Sequence, residues 1–125
     1  MNARLVCIAG VLVLFSLAQA GEKGQEWEGA PPKPLRGDYQ VYGGTLSEIL
    51  PPTAKDRKVA FLFKGPLAKD LVTQIGPDVK VSCSAAAGYR ERRRGHLLCT
   101  HDQDGYLCYF GLNVPTGEST NGAIC

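Results

Sequence analysis

Several features that would announce a function are missing from this chain. No apolar run reaches the roughly 20 residues that a membrane-spanning helix needs; residues 5–17, the main apolar stretch, fall short. Neither sign of charge dominates. With 14 Lys and Arg against 12 Asp and Glu, the strongly basic balance of a nucleic-acid-binding protein is excluded. There is no Gly-x-Ser-x-Gly, the motif that exposes a nucleophilic serine on a strand-to-helix turn. Histidine occurs only as His96 and His101, so imidazole chemistry has few places to reside. No internal repeat and no low-complexity tract is present.

What is present begins with the amino end. Arg4 supplies a positive start, residues 5–17 are almost wholly apolar, and Ala18-Gln19-Ala20 forms the small-x-small pattern of a signal-peptidase site. Residues 1–20 are therefore expected to be a signal peptide cleaved before Gly21. Cys7 lies at the start of the apolar run rather than after it, which argues against lipid attachment, and it leaves with the peptide. Of five cysteines, the remaining four are Cys83, Cys99, Cys108 and Cys125. An even set in a short exported chain implies a disulfide framework. A domain this small buries too little surface to be far from marginal stability, so such bridges matter.

Two pairings fit the spacing. Cys83–Cys99 with Cys108–Cys125 links consecutive segments and is the first expectation. Cys83–Cys125 with Cys99–Cys108 is the other, because a turn at residues 102–105 sets Cys99 directly opposite Cys108. Spacing does not decide between them.

Residues 21–36 are rich in glycine, proline and charge. They cannot bury enough apolar area to offset ordering entropy, and a flexible leader is expected, with Trp27 as its one aromatic side chain. Residues 37–125 are read as the stapled domain. Alternation or apolar character predicts strands at 38–42, 58–63, 79–83, 96–101 and 105–111. Thr45 and Glu48 have capping-box spacing ahead of a short turn that Pro51-Pro52 stops. The best helix starts at Gly65-Pro66, with Gly65 as candidate cap and Pro66 at the first helical position, carries a Leu67/Leu71/Ile75 stripe widened by Val72, and ends at Gly76, suited to the left-handed position, before Pro77 blocks extension. Asp102-Gln103-Asp104-Gly105 signals a hairpin, and residues 85–95 read as a long loop. The predicted fold class is α+β: a small, mainly antiparallel sheet with one packed helix and two disulfides.

Ile75-Gly-Pro-Asp78, Cys83, Arg90-Glu-Arg-Arg-Arg-Gly95, Cys99 and Gly105-Tyr-Leu-Cys-Tyr-Phe-Gly111, through to Cys125, resemble a group of small uncharacterised secreted bacterial proteins. The resemblance covers most of the chain after Gly37. It implies export and disulfides, and no chemistry.

Candidate chemistry is sparse. His101 and Asp102 are adjacent, but neighbours on a strand point to opposite faces. Cys99, His101 and Cys108 have zinc-compatible atoms, but an oxidising compartment favours disulfide. Asp102 and Asp104 are too few oxygens for calcium and suit a turn. Glu26 and Glu28 lie in the leader, where a glycosidase's fixed carboxylate pair is not formed. No cofactor and no metal is expected. The strongest lead is Arg90, Arg92, Arg93 and Arg94, whose guanidinium forks suit carboxylate or phosphate. The expectation is a periplasmic or secreted non-enzymatic binding protein, of inhibitor or immunity type. Its partner would be an envelope protein or anionic envelope component. The alternatives are a small hydrolase using His96 or His101, and an envelope structural module.

Overall fold

In the computed structural model, residues 29–125 are described. The signal-peptide reading, Trp27, Glu26 and Glu28 lie outside them. The chain divides into Met1–Lys33 and Pro34–Cys125. In the first unit, residues 29–33 are exposed and without regular structure. All elements described below belong to the second.

The elements are β1 (Gly37–Gly44), β2 (Ile49–Leu50), β3 (Lys58–Lys64), α1 (Gly65–Gln74), β4 (Arg90–Arg94), β5 (Leu97–Asp102), β6 (Gly105–Asn113) and β7 (Ser119–Thr120). The sheet order is β2-β1-β3-β6-β5-β4, with β7 beside the far end of β6. Every pairing is antiparallel. The α+β prediction therefore holds, with one helix on a mainly antiparallel sheet. The chain leaves β3 at the middle of the sheet, crosses one face as α1, and re-enters at the far edge as β4. β4, β5 and β6 then meander back to β3.

The β5–β6 hairpin forms where the sequence places it. The Asp104 N–H donates to Asp102 Oδ1 at 2.7 Å, an Asx turn that closes the reversal locally. Gly105 follows at φ +102°. The register then sets Cys99 opposite Cys108, with Cα atoms 4.1 Å apart, and the two are bonded. Cys83 joins Cys125. The first expected pairing, Cys83–Cys99 with Cys108–Cys125, is thus overturned. Once the hairpin zips, its own cysteines face each other on the buried side, and Cys83 and Cys125 are left to meet. Their bridge closes the longer loop, with a separation of 42 residues against 9. In the chain-entropy model that is worth ~4 against ~2.7 kcal/mol.

Side chains alternate along strands and directly opposed residues share a face. The row Phe63, Cys108, Cys99, Arg92 thus lies on the face that α1 covers. Ala68, Val72 and Ile75 pack on the Cys99–Cys108 bridge, with Phe63, Leu71, Leu97 and Tyr106 around them. The predicted stripe is rotated: Ile75 is buried, but Leu67 is 40% exposed and Ala68 is fully buried in its place. The cause is close approach, since Cys108 Sγ lies 3.6 Å from the Ala68 carbonyl. Gly65 at φ +66° turns the strand into the helix, a conformation glycine adopts at little steric cost, but the cap position falls on Lys64 rather than on the expected Gly65. Gly76 does not take the predicted left-handed position. Its missing side chain makes room for Arg92, whose Nη1 would lie 2.9 Å from an added Cβ.

Three further expectations change. Residues 79–83 are irregular: the Val79 N–H bonds the Glu91 carbonyl at 2.8 Å, but Val81 is 89% exposed and no apolar face holds the segment to the sheet. Residues 90–94, read as part of a loop, form the edge strand β4. Charged edge strands are common because charge blocks further pairing, and their pattern hides them. The Thr45/Glu48 spacing caps no helix. The Glu48 N–H donates to Thr45 Oγ1 at 3.0 Å, but within the loop joining β1 to β2.

Candidate functional site

The arginine cluster sits on β4, where Arg92 is partly buried and Arg90, Arg93 and Arg94 are exposed. Arg90 and Arg92 lie on the α1 side with Cys99 and His101, and Arg93 on the opposite side with Leu98. Arg90 Nε donates to Asp78 Oδ2 at 2.8 Å and Arg92 Nε to Asp78 Oδ1 at 2.7 Å. These two guanidinium groups hold the Asp78 carboxyl at about 2, against an ordinary 3.8. Arg92 Nη1 also donates to the Val72 carbonyl at 2.7 Å, placing a cation near the carboxyl end of α1, where the helix dipole favours it. The cluster therefore fastens the 75–78 turn and the helix end to the sheet edge. Its neutralisation by Asp78, twelve or more residues upstream, has no local sequence signal.

On the other face, Glu91 is 2% exposed. Its Oε1 accepts from the Cys83 N–H and the Tyr89 hydroxyl, each at 3.0 Å, and its Oε2 from Arg93 Nε at 2.9 Å. Burial pushes its carboxyl up, but these three donors hold it below its ordinary value. Tyr89, in turn, is pushed up to about 12 by burial and by the Glu91 carboxylate it donates to. Arg93 Nη2 reaches Cys83 Sγ at 3.4 Å and Cys125 Sγ at 3.6 Å. Arg94 is exposed and has no side-chain bond among the described residues.

The remaining sequence candidates are dispersed. His101 stacks on Tyr106, ring centroids 4.0 Å apart. His96 Nδ1 lies 2.7 Å from Ser119 Oγ at an exposed position. Asp102 and Asp104 serve the hairpin. Cys83, Glu91 and Cys125 place metal-ligand atom types within 4.8 Å, but the two sulfurs are bonded to each other. Of the tyrosines on β1, Tyr39 is 73% exposed whereas Tyr42 is 2% exposed. The Tyr42 ring centroid lies 6.0 Å from Lys58 Nζ.

A cleft of about 600 Å³ opens at the amino end of α1, lined among others by Arg36, Lys64, Lys69, Asp104 and Tyr106. Three elements converge there: the approach to β1, the β3-to-α1 junction and the β5–β6 turn. Arg36 lies over Gly65, where an added Cβ would sit 3.2 Å from Nη1, and its carbonyl accepts the Lys64 N–H at 2.9 Å. Lys64 Nζ is 3.0 Å from Asp38. Arg36 and Lys69 make no ion pair among the described residues. The cleft is thus cationic, with Asp104 as the carboxylate in its wall. Sequence reasoning missed it because Arg36 and the Asp104 turn lie far along the chain from Lys64 and Lys69; the glycine at the strand-to-helix junction is the one local sign of close packing.

Among the described residues, no helix is long and apolar enough to cross a membrane. The two disulfides fit an oxidising compartment. Comparison of the chain with protein families, with curated proteins and with solved structures finds no match.

Proposed function

We propose that the chain is an exported, non-enzymatic binding protein that seats an acidic group of an envelope component in the cleft at the amino end of α1. The observation that carries this reading is the convergence of Arg36, Lys64 and Lys69 on that cleft. A guanidinium and two ammonium groups offer many donors and no acceptor, so a carboxylate or phosphate is the matching ligand. Export is supported by the residue pattern of 1–20 and by the disulfides. Arg94, exposed on β4 and without a side-chain bond among the described residues, offers a second cationic contact outside the cleft. An inhibitor-type role corresponds to the case in which the acidic group belongs to an envelope enzyme.

The test is a salt titration of binding to vesicles carrying a phosphate headgroup, to a carboxylated cell-wall fragment and to envelope extract. Wild-type binding should fall as salt rises, and Arg36→Ser with Lys69→Ser should weaken it by about tenfold or more at low salt. Equal binding by wild type and the double variant would remove the cleft as the site.

A second reading rests on the 2.7 Å contact between His96 and Ser119, the pairing of base and hydroxyl that a small hydrolase uses. No carboxylate orients His96 among the described residues, which is why binding is preferred. Ester turnover lost in Ser119→Ala would reverse that preference.

A further inference from the structure

The two disulfides occupy opposite environments. Cys99 and Cys108 are fully buried beneath Ala68, and no reductant reaches them without unpacking α1. Cys83 and Cys125 are both exposed. They join two irregular segments, residues 79–89 and 121–125, so opening their bond breaks no strand pairing. A cation also attends both sulfurs, since Arg93 Nη2 is 3.4 Å from Cys83 Sγ and 3.6 Å from Cys125 Sγ. Arg93 is fixed from behind by Glu91. The Cys83 backbone is held as well, through its N–H to the same carboxylate, whereas no described hydrogen bond holds the Cys125 backbone.

We propose that Cys83–Cys125 is a thiol–disulfide exchange site whose co-reactant is a protein dithiol. One thiolate of the dithiol attacks Cys125 Sγ, the sulfur on the less restrained segment. A new intermolecular S–S bond forms, the Cys83–Cys125 bond breaks, and its electron pair remains on Cys83 Sγ. The Arg93 guanidinium stabilises that leaving thiolate, and a better-stabilised leaving thiolate departs faster. The second thiol of the dithiol gives up its proton and attacks its own sulfur in the mixed disulfide, releasing Cys125 as a thiolate. Both cysteines then take up protons. The chain has gained two electrons and two protons, and the dithiol has become a disulfide. Cys99–Cys108 stays closed throughout and keeps the hairpin and its helix in place.

The experiment treats the native, oxidised protein with limiting dithiothreitol, quenches with N-ethylmaleimide and maps the labelled cysteines by mass spectrometry. Labels on Cys83 and Cys125 alone are expected, with an unchanged far-ultraviolet circular dichroism spectrum. Labelling of all four cysteines together, or of none at a concentration that reduces glutathione disulfide, would overturn the proposal. A Cys-x-x-Cys oxidoreductase whose second cysteine is replaced by Ser should be trapped on Cys125; an adduct on Cys83 or none overturns the assigned direction. Arg93→Ser should slow exchange about threefold or more, with Arg93→Lys restoring it. In the opened protein the Cys83 thiol should titrate lower in wild type than in Arg93→Ser. Identical titration would show that Arg93 acts on packing only and would remove it from the step.

Discussion

Glu91 shows how much one side chain can organise. It is buried, charged and fully engaged: its two carboxylate oxygens collect a backbone N–H, a phenol and a guanidinium from three separate positions. Removing one partner of a buried pair costs ~3–5 kcal/mol. Arg93 retains some solvent contact, so Glu91→Ala should fall at the low end, about 3 kcal/mol, measured by denaturant titration. A change near zero would mean that the network contributes nothing net. Asp78 gives a pH signature. Its carboxyl is held at about 2 by Arg90 and Arg92, against an ordinary 3.8. A depressed folded-state value contributes stability that is present above 3.8 and is lost as pH falls through about 2. Glu91, held low as well, acts in the same direction. Thermal melts of wild type should therefore fall over that acid window, and Asp78→Asn should flatten the dependence; parallel curves for the two proteins would refute the clasp. Salt bridging by Asp78 also changes what the arginines mean. Replacing Arg92, Arg93 and Arg94 by Ser should lower the melting temperature, where a solvated loop would tolerate the change.

At the scale of elements, the helix is where apolar pattern and packing part company. Leu67, Leu71 and Ile75 mark a four-residue stripe, and on that basis all are core residues. The observed contact face is Ala68, Val72 and Ile75, with Leu71 at its margin and Leu67 turned outward. A buried cystine lies under the middle of the helix, and only a small side chain fits between them. Ile75→Ala should cost ~2–5 kcal/mol, and Leu67→Ala within about 0.5 kcal/mol, compared by chemical denaturation. Equal costs would restore the original stripe. Ala68→Leu should destabilise by ~1–3 kcal/mol through overpacking, although it raises both helix propensity and hydrophobicity. β4 makes the complementary point. Its Arg-Glu-Arg-Arg-Arg run has no apolar member, and it becomes a strand because β5 offers it an edge and because Asp78, Val72 and Glu91 accept its guanidinium hydrogen bonds.

For the whole molecule, stability rests on two bridges with different tasks. Cys99–Cys108 reinforces contacts already local to a hairpin, and Cys83–Cys125 joins segments 42 residues apart. Full reduction under mild denaturant should therefore lower the melting temperature substantially. Loss of Cys83–Cys125 should account for the larger share, ~4 kcal/mol in the chain-entropy model, as read from melts of Cys83→Ser/Cys125→Ser and Cys99→Ala/Cys108→Ala. A larger loss from the hairpin pair would show that packing on Ala68, rather than chain entropy, is the main contribution. Mass spectrometry of protein recovered from the exported fraction should begin at Gly21; an intact amino end would refute cleavage.

Local patterns in the sequence determined the parts of this protein whose cause is local. The 102–105 turn follows from an Asx side chain and a glycine, the helix limits from Gly65-Pro66 and Pro77, and the strands β1, β3, β5 and β6 from runs of apolar or alternating residues. The even set of cysteines after residue 20 likewise marks a framework. Tertiary structure alone decided what depends on distance. It chose the disulfide pairing by setting Cys99 against Cys108 across a ladder, turned the helix by one position to admit the bridge, and drew an all-polar segment into the sheet edge. It also gave three of four clustered arginines internal acceptors, while gathering Arg36, Lys64 and Lys69 around one cleft. Apart from the hairpin pairing, which the 102–105 turn offered as one of two, none of these has a short-range signature, because the energy that selects each comes from groups that meet only when β3, α1 and the β4–β6 meander close on one another.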